Sequence, residues 1–170
     1  MLELLLEYRV IAQRLLLFLV VASAFRWGAG PERTTGLVLA GMLFVDLAYH
    51  AIFGAGVRLL QVDVGHAVID LAALGALLAI GVKANRNYTL WIGALQILAV
   101  FGHVARNLDN AMSPLMYAVI HIAPSYAQII LLGVGTHRYR RRSRTGLKYN
   151  SWRSSSPPSW AKGRLRWLGV

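Results

Sequence analysis

Five apolar stretches, each close to the length of one bilayer crossing, dominate this chain: residues 10–27, 35–55, 64–82, 89–105 and 115–135. A helix needs ~17–25 predominantly apolar residues to span the hydrocarbon core, and in lipid its backbone groups must be satisfied internally. The runs are too long and too rich in Leu and Ala to read as alternating strands. The expected fold class is therefore all-α: a polytopic integral membrane helix bundle of about five transmembrane helices with a basic C-terminal tail. Gly28 to Pro31, Gly54 to Gly56, Asn85 to Asn87 and Asn107 to Pro114 supply turn chemistry between the runs. Thr34 and Thr35, Asp63, and Ser113 with Pro114 read as helix starts.

Charge divides the chain in two. Of 18 Lys and Arg, ten lie in residues 138–170, which contain no Asp or Glu. Residues 1–137 hold eight basic and all seven acidic residues, so the formal net charge of +11 is almost entirely a property of the tail. With 56% hydrophobic and only 15% charged residues, the chain is poor in charge for a soluble domain. The absence of cysteine excludes disulfides, thiolate metal sites and a cysteine nucleophile. The reading is two parts: residues 1–137 as the bundle and 138–170 as a partly disordered cytoplasmic tail.

The first span is short and preceded by Arg9 and Arg14, and Ala22-Ser23-Ala24 resembles a signal-peptidase site. Glu3 and Glu7 make a poor positive leader, so an uncleaved helix is expected. Five spans place the termini on opposite faces. With the tail inside, basic residues divide 14 inside to 4 outside, and 4 to 4 without the tail. The expected location is an inner membrane of bacterial type, with the N-terminus outside and the C-terminus cytoplasmic. Trp27, Tyr49, Tyr88, Trp91 and Tyr117 fall near the span ends as interfacial aromatics do.

Ionisable groups at membrane depth cost roughly 2.5–3.5 kcal/mol each on insertion scales, so each needs a reason. Asp46 and His50 are four apart, and His66 and Asp70 repeat the pair in reverse order. Gln96, His103 and Arg106 form a stripe on span four; Tyr117, His121, Ser125 and Gln128 form another on span five. In the expected orientation His50, His66, His103 and His121 all fall in the outer half of the bilayer, with Asp46 and Asp70 deeper. This describes a polar pocket opening outward above two carboxylates.

Several chemistries suit that pattern. Polar residues commonly serve as interhelical glue. Asp46, His50, His66 and Asp70 would suit Zn, Fe or Mn, although no HExxH-type motif is present. The four histidines would also suit axial ligation of haem, with Arg58 or Arg106 meeting propionates. Asp–His pairs handle protons or quinones as well. Pro124 should bend span five beside His121, and Gly36, Gly41 and Gly75 open small-residue packing faces.

In the tail, Arg138, Arg140, Arg141, Arg142 and Arg144 read as a topology determinant and an anionic-lipid contact, at about 1 kcal/mol per basic residue. Residues 154–159 read as a linker. Trp160 and Trp167 among Lys162, Arg164 and Arg166 read as an interfacial anchor or partner contact; nucleic acid is the least favoured partner. The loops are too short for a soluble catalytic site, and no catalytic constellation stands out. The leading expectation is thus a non-enzymatic accessory or scaffold subunit of a membrane assembly, with a membrane-protein partner or a second copy of itself. The alternative is a metal-, haem- or quinone-binding bundle using the His/Asp cluster.

Overall fold

The computed structural model describes residues 2–53, 64–108, 114–145 and 150–153. Among the described residues the fold is all-α, with five helices: α1 (Leu2–Trp27), α2 (Gly30–Phe53), α3 (Val64–Lys83), α4 (Asn87–Leu108) and α5 (Pro114–Arg144). Four of them are long and apolar enough to cross a membrane, over Tyr8–Trp27, Gly30–Phe53, Val64–Lys83 and Asn87–Ala105.

Consecutive helices pack side by side, α1 also packs against α5, and α2 touches α5 across the middle. The ring closes through α1 and α5, which run parallel. Arg9 and Gln13 meet Tyr126 and Ser125 near one end, whereas Trp27 meets Arg140 at the other. An odd number of alternating helices forces this, because the first and last then point the same way.

The distribution of polarity is inverted relative to a soluble protein. Phe44, Phe53, Leu71, Val82, Trp91 and Phe101 are all more than half exposed, whereas Gln96, Gln128, Thr89, Thr136 and His103 are buried. Apolar contacts between Leu17, Ala24, Leu39, Leu77, Ile92, Ile129 and Leu132 fill the centre. Lipid tails are as apolar as leucine, so a membrane protein gains little by hiding leucine and must hide its polar groups. Among the small residues expected to pack, Gly36 faces Val21, Ala24 and Leu132, whereas a β-carbon added at Gly41 or Gly75 would meet no other atom within 4 Å.

Helix α2 starts five residues before Thr35. Gly30 and Pro31 look like breakers, yet proline is tolerated in a first helical turn, where its missing N–H has no intrahelical partner anyway. Glu32 secures the start by accepting a hydrogen bond from Ala29 N at 3.0 Å, the reciprocal half of a capping box. Helix α5 in turn passes through Pro124 and continues beyond residue 135 to Arg144, so Arg138, Arg140, Arg141, Arg142 and Arg144 are carried on its last turns. Cations at a helix C-terminus are favoured by the exposed carbonyl dipoles.

A short return segment then closes this end. Ala84 and Trp152 form an antiparallel bridge, with Asn85 N donating to Ser151 O at 3.0 Å and Arg153 N to Lys83 O at 2.8 Å. The Trp152 indole lies over Gly30, where a β-carbon would sit 2.6 Å from Nε1. Residues 154–170, including Trp160 and Trp167, lie outside the described residues.

A candidate carboxylate–histidine centre

Asp46 and His50 sit one turn apart near the end of α2, and His66 and Asp70 one turn apart near the start of α3. Antiparallel packing of these two helices brings the pairs face to face. The shortest contact then forms between helices rather than within one. His66 Nε2 lies 2.7 Å from Asp46 Oδ1, while His50 Nε2 is 3.6 Å from the same oxygen. The His50 and His66 rings are 5.0 Å apart between centroids, and Tyr49 stands edge-on to His66 at 5.4 Å. Gly65 permits this, since any β-carbon there would collide with the Tyr49 ring.

Asp70 turns to a different partner. His103 Nε2 of α4 is 2.9 Å from Asp70 Oδ2, and Gln96 Nε2 donates to Asp70 Oδ1 at 3.0 Å. Gln128 Nε2 of α5 donates to Gln96 Oε1 at 2.8 Å and to the Ile92 carbonyl at 3.3 Å. A continuous polar chain therefore runs His103–Asp70–Gln96–Gln128 across three helices. Removing its middle is costly. Gln96→Leu leaves Gln128 and Asp70 each short of a buried partner, and we expect a loss of about 1–3 kcal/mol in unfolding free energy by SDS titration in mixed micelles. A loss below a few tenths would show that the chain is not a structural element.

The histidines thus divide. His50 and His66 converge on Asp46; His103 belongs to the Asp70 chain. Asp70, which the sequence groups with the other three as a metal ligand, is engaged by His103 and Gln96. The side chain of His121 and that of Arg106 lie outside the described residues, as does Arg58.

Both carboxylates reach one space. A cavity of about 270 Å³ between α1, α2, α3 and α5 is lined by Asp46, His66, Asp70 and Gln128 together with Gln13, Arg14 and Ser125. Gln13 Nε2 donates to Ser125 Oγ at 2.8 Å. Gln13 and Arg14 are legible as polar residues at the edge of an apolar run, but nothing local indicates that they face this cavity. At the tail end of the bundle lies a pair that sequence reading leaves as two separate loop residues: Arg86 Nε donates to Glu32 Oε1 at 3.2 Å, with Glu32 wholly buried and Arg86 only 8% exposed.

Asp46, His50 and His66 offer one ligand atom each, all within 4.8 Å of one another. His50 makes no hydrogen bond among the described residues, and its buried Nδ1 is without a partner there. An imidazole in that position is available to a ligand. The separations of 2.7 and 3.6 Å bracket the roughly 3.3 Å between neighbouring corners of a tetrahedron with ~2 Å metal–ligand bonds.

Models of known protein families, curated proteins and solved structures give no match to this chain.

Proposed function

We propose that this chain is a five-span integral membrane bundle that binds one divalent transition-metal ion between α2 and α3, with Asp46, His50 and His66 as its protein ligands. The observation that carries the reading is the convergence of two imidazoles and one carboxylate, drawn from two helices, on one point beside a polar cavity. Intramembrane ionisable residues are expensive, and each is a candidate functional group by default. Two nitrogens and one oxygen suit Zn²⁺, Fe²⁺ or Mn²⁺. Three protein ligands leave a fourth position open toward the cavity, the pattern of sites that take water or a substrate atom.

A metal ion fits this donor set better than haem does. Bis-histidine ligation holds two rings on opposite faces of a macrocycle, whereas His50 and His66 approach within 5.0 Å beside one shared carboxylate. The run 115–135 in α5 completes the fifth span, and the excess of basic residues on the tail supports an N-out, C-in orientation. That orientation puts the metal site in the outer half of the bilayer.

The test is metal content of the purified full chain by elemental analysis, followed by titration with zinc after chelation. Close to one equivalent per chain is expected, retained in His103→Gln and lost in His66→Gln. No stoichiometric metal together with no zinc binding would refute the reading and return the cluster to interhelical glue.

A further inference from the structure

A second site lies at the opposite end of the bundle, in the groove between α4 and α5. Its volume is about 470 Å³. At the end nearer the tail it is walled by Arg138 and Arg142, one helical turn apart on α5, with Tyr139 between them in sequence. The end nearer the middle of α5 is apolar, with Leu131 and Val134 of α5 and Trp91 of α4. No acidic side chain lines it among the described residues. Arg86, the third cation on its wall, is held from beneath by the buried Glu32 and stacks over the Tyr139 ring at 5.2 Å.

Two consequences follow. Like charges at i, i+4 repel along a helix, so an anion placed between Arg138 and Arg142 relieves that repulsion as well as meeting two cations. The polarity of the groove is also graded. From Arg142 to Leu131 is eleven residues, about 16 Å along α5, and over that length the wall changes from guanidinium to aromatic to aliphatic. Trp91 is 66% exposed and Val134 44% exposed, so the apolar end opens to the surroundings of the bundle rather than to its core. Tyr88 forms part of the floor, and Gly135 makes room for it: a β-carbon there would sit 2.6 Å from the ring. A free oxyanion uses only the cationic end of such a groove. A phospholipid uses all of it.

We propose that this groove is a binding site for one anionic phospholipid, its phosphodiester held between Arg138 and Arg142 and an acyl chain lying along Val134, Leu131 and Trp91. The site is separate from the metal centre and rests only on the reading of the bundle as membrane-embedded. It narrows the general attraction of a basic tail for anionic lipid to one place. Basic pockets between membrane helices are known to take anionic headgroups.

The experiment is native mass spectrometry of the full chain from detergent, titrated with phosphatidylglycerol, with phosphatidylcholine and with inorganic phosphate. Wild-type chain retains one phosphatidylglycerol in preference to phosphatidylcholine. Arg138→Gln with Arg142→Gln weakens that retention about thirtyfold, the effect of two cations at about 1 kcal/mol each. Arg140→Gln with Arg144→Gln removes the same charge from the other side of α5, where Arg140 stacks on Trp27 at 4.1 Å, and leaves retention within about threefold. Equal loss in both double variants would show a diffuse charge effect and overturn the assignment. Equal retention of phosphatidylcholine would overturn the headgroup role. Displacement of the lipid by inorganic phosphate would make the site one for a soluble oxyanion. Metal content is measured on the same samples, so failure here is distinguishable from failure of the metal reading.

Discussion

Asp46→Asn will weaken zinc binding by more than about a hundredfold while leaving the helical content of the bundle unchanged. Removing a group that merely orients a metal ligand costs 10–100-fold in affinity, and Asp46 is proposed as a ligand itself. Its Oδ1 lies 2.7 Å from His66 Nε2 and 3.6 Å from His50 Nε2, so in the proposed site it would supply the anionic charge and the shared corner. Asparagine keeps the size and one oxygen but not the charge. Asp70→Asn is the control, because Asp70 is engaged by His103 and Gln96. Zinc affinity measured by competition with a chromogenic chelator decides the matter. Equal losses at Asp46 and Asp70 would mean that both act through general bundle stability. A loss at Asp70 alone would move the metal to the His103 side.

The largest effect on stability is expected at the tail end. Glu32→Ala will lower the unfolding free energy by about 3–5 kcal/mol, because it leaves the Arg86 guanidinium buried without its counter-charge. Two roles of Glu32 must be separated, since Oε2 also accepts from Ala29 N at the start of α2. Glu32→Gln keeps an acceptor there and removes the charge. If the ion pair dominates, Glu32→Gln is almost as damaging as Glu32→Ala, and adding Arg86→Met to either recovers most of the loss. If the cap dominates, Glu32→Gln is close to wild type and the loss in Glu32→Ala is about 1 kcal/mol. SDS titration of these variants beside the wild type, in mixed micelles, distinguishes the cases.

The two acidic clusters have different logic. Asp46 sits beside an imidazole with no hydrogen bond among the described residues and beside open space. Asp70 lines the same cavity but is engaged by a hydrogen-bonded chain reaching α5. Double-mutant measurements put such interhelical bonds at well under ~2 kcal/mol, so the Asp70 chain serves mainly to satisfy an otherwise costly carboxylate. The Asp46 cluster brings two imidazoles and one carboxylate within 4.8 Å of one another, which is what a shared ligand site requires.

Much of this is legible along the chain. Helix existence follows from apolar length, and α3 and α4 begin and end within about three residues of the runs that define them. The start of α2 is not legible, because Gly30-Pro31 signals a turn unless the Glu32 cap is recognised. The i, i+4 spacing correctly puts Asp46 with His50, and His66 with Asp70, on shared faces. It does not say which residue each carboxylate engages. Asp46 meets His66 and Asp70 meets His103, each on the next helix in the ring. The length of α5 is also hidden, since Arg138 to Arg144 end an apolar run without ending a helix.

What the amino-acid sequence determined alone are properties summed over neighbours: how many helices form, and that the positive charge gathers after residue 137. The tertiary structure decided everything that depends on how one helix is turned and slid against another. It divided the histidines between two carboxylates, joined Glu32 to Arg86 across 54 residues, ran α1 parallel to α5, and set a graded groove beneath Arg138 and Arg142. Hydropathy is local and survives any rotation about a helix axis. A hydrogen bond or a metal ligand set does not, because a rotation of one residue carries its atoms about 100° around the axis and out of reach.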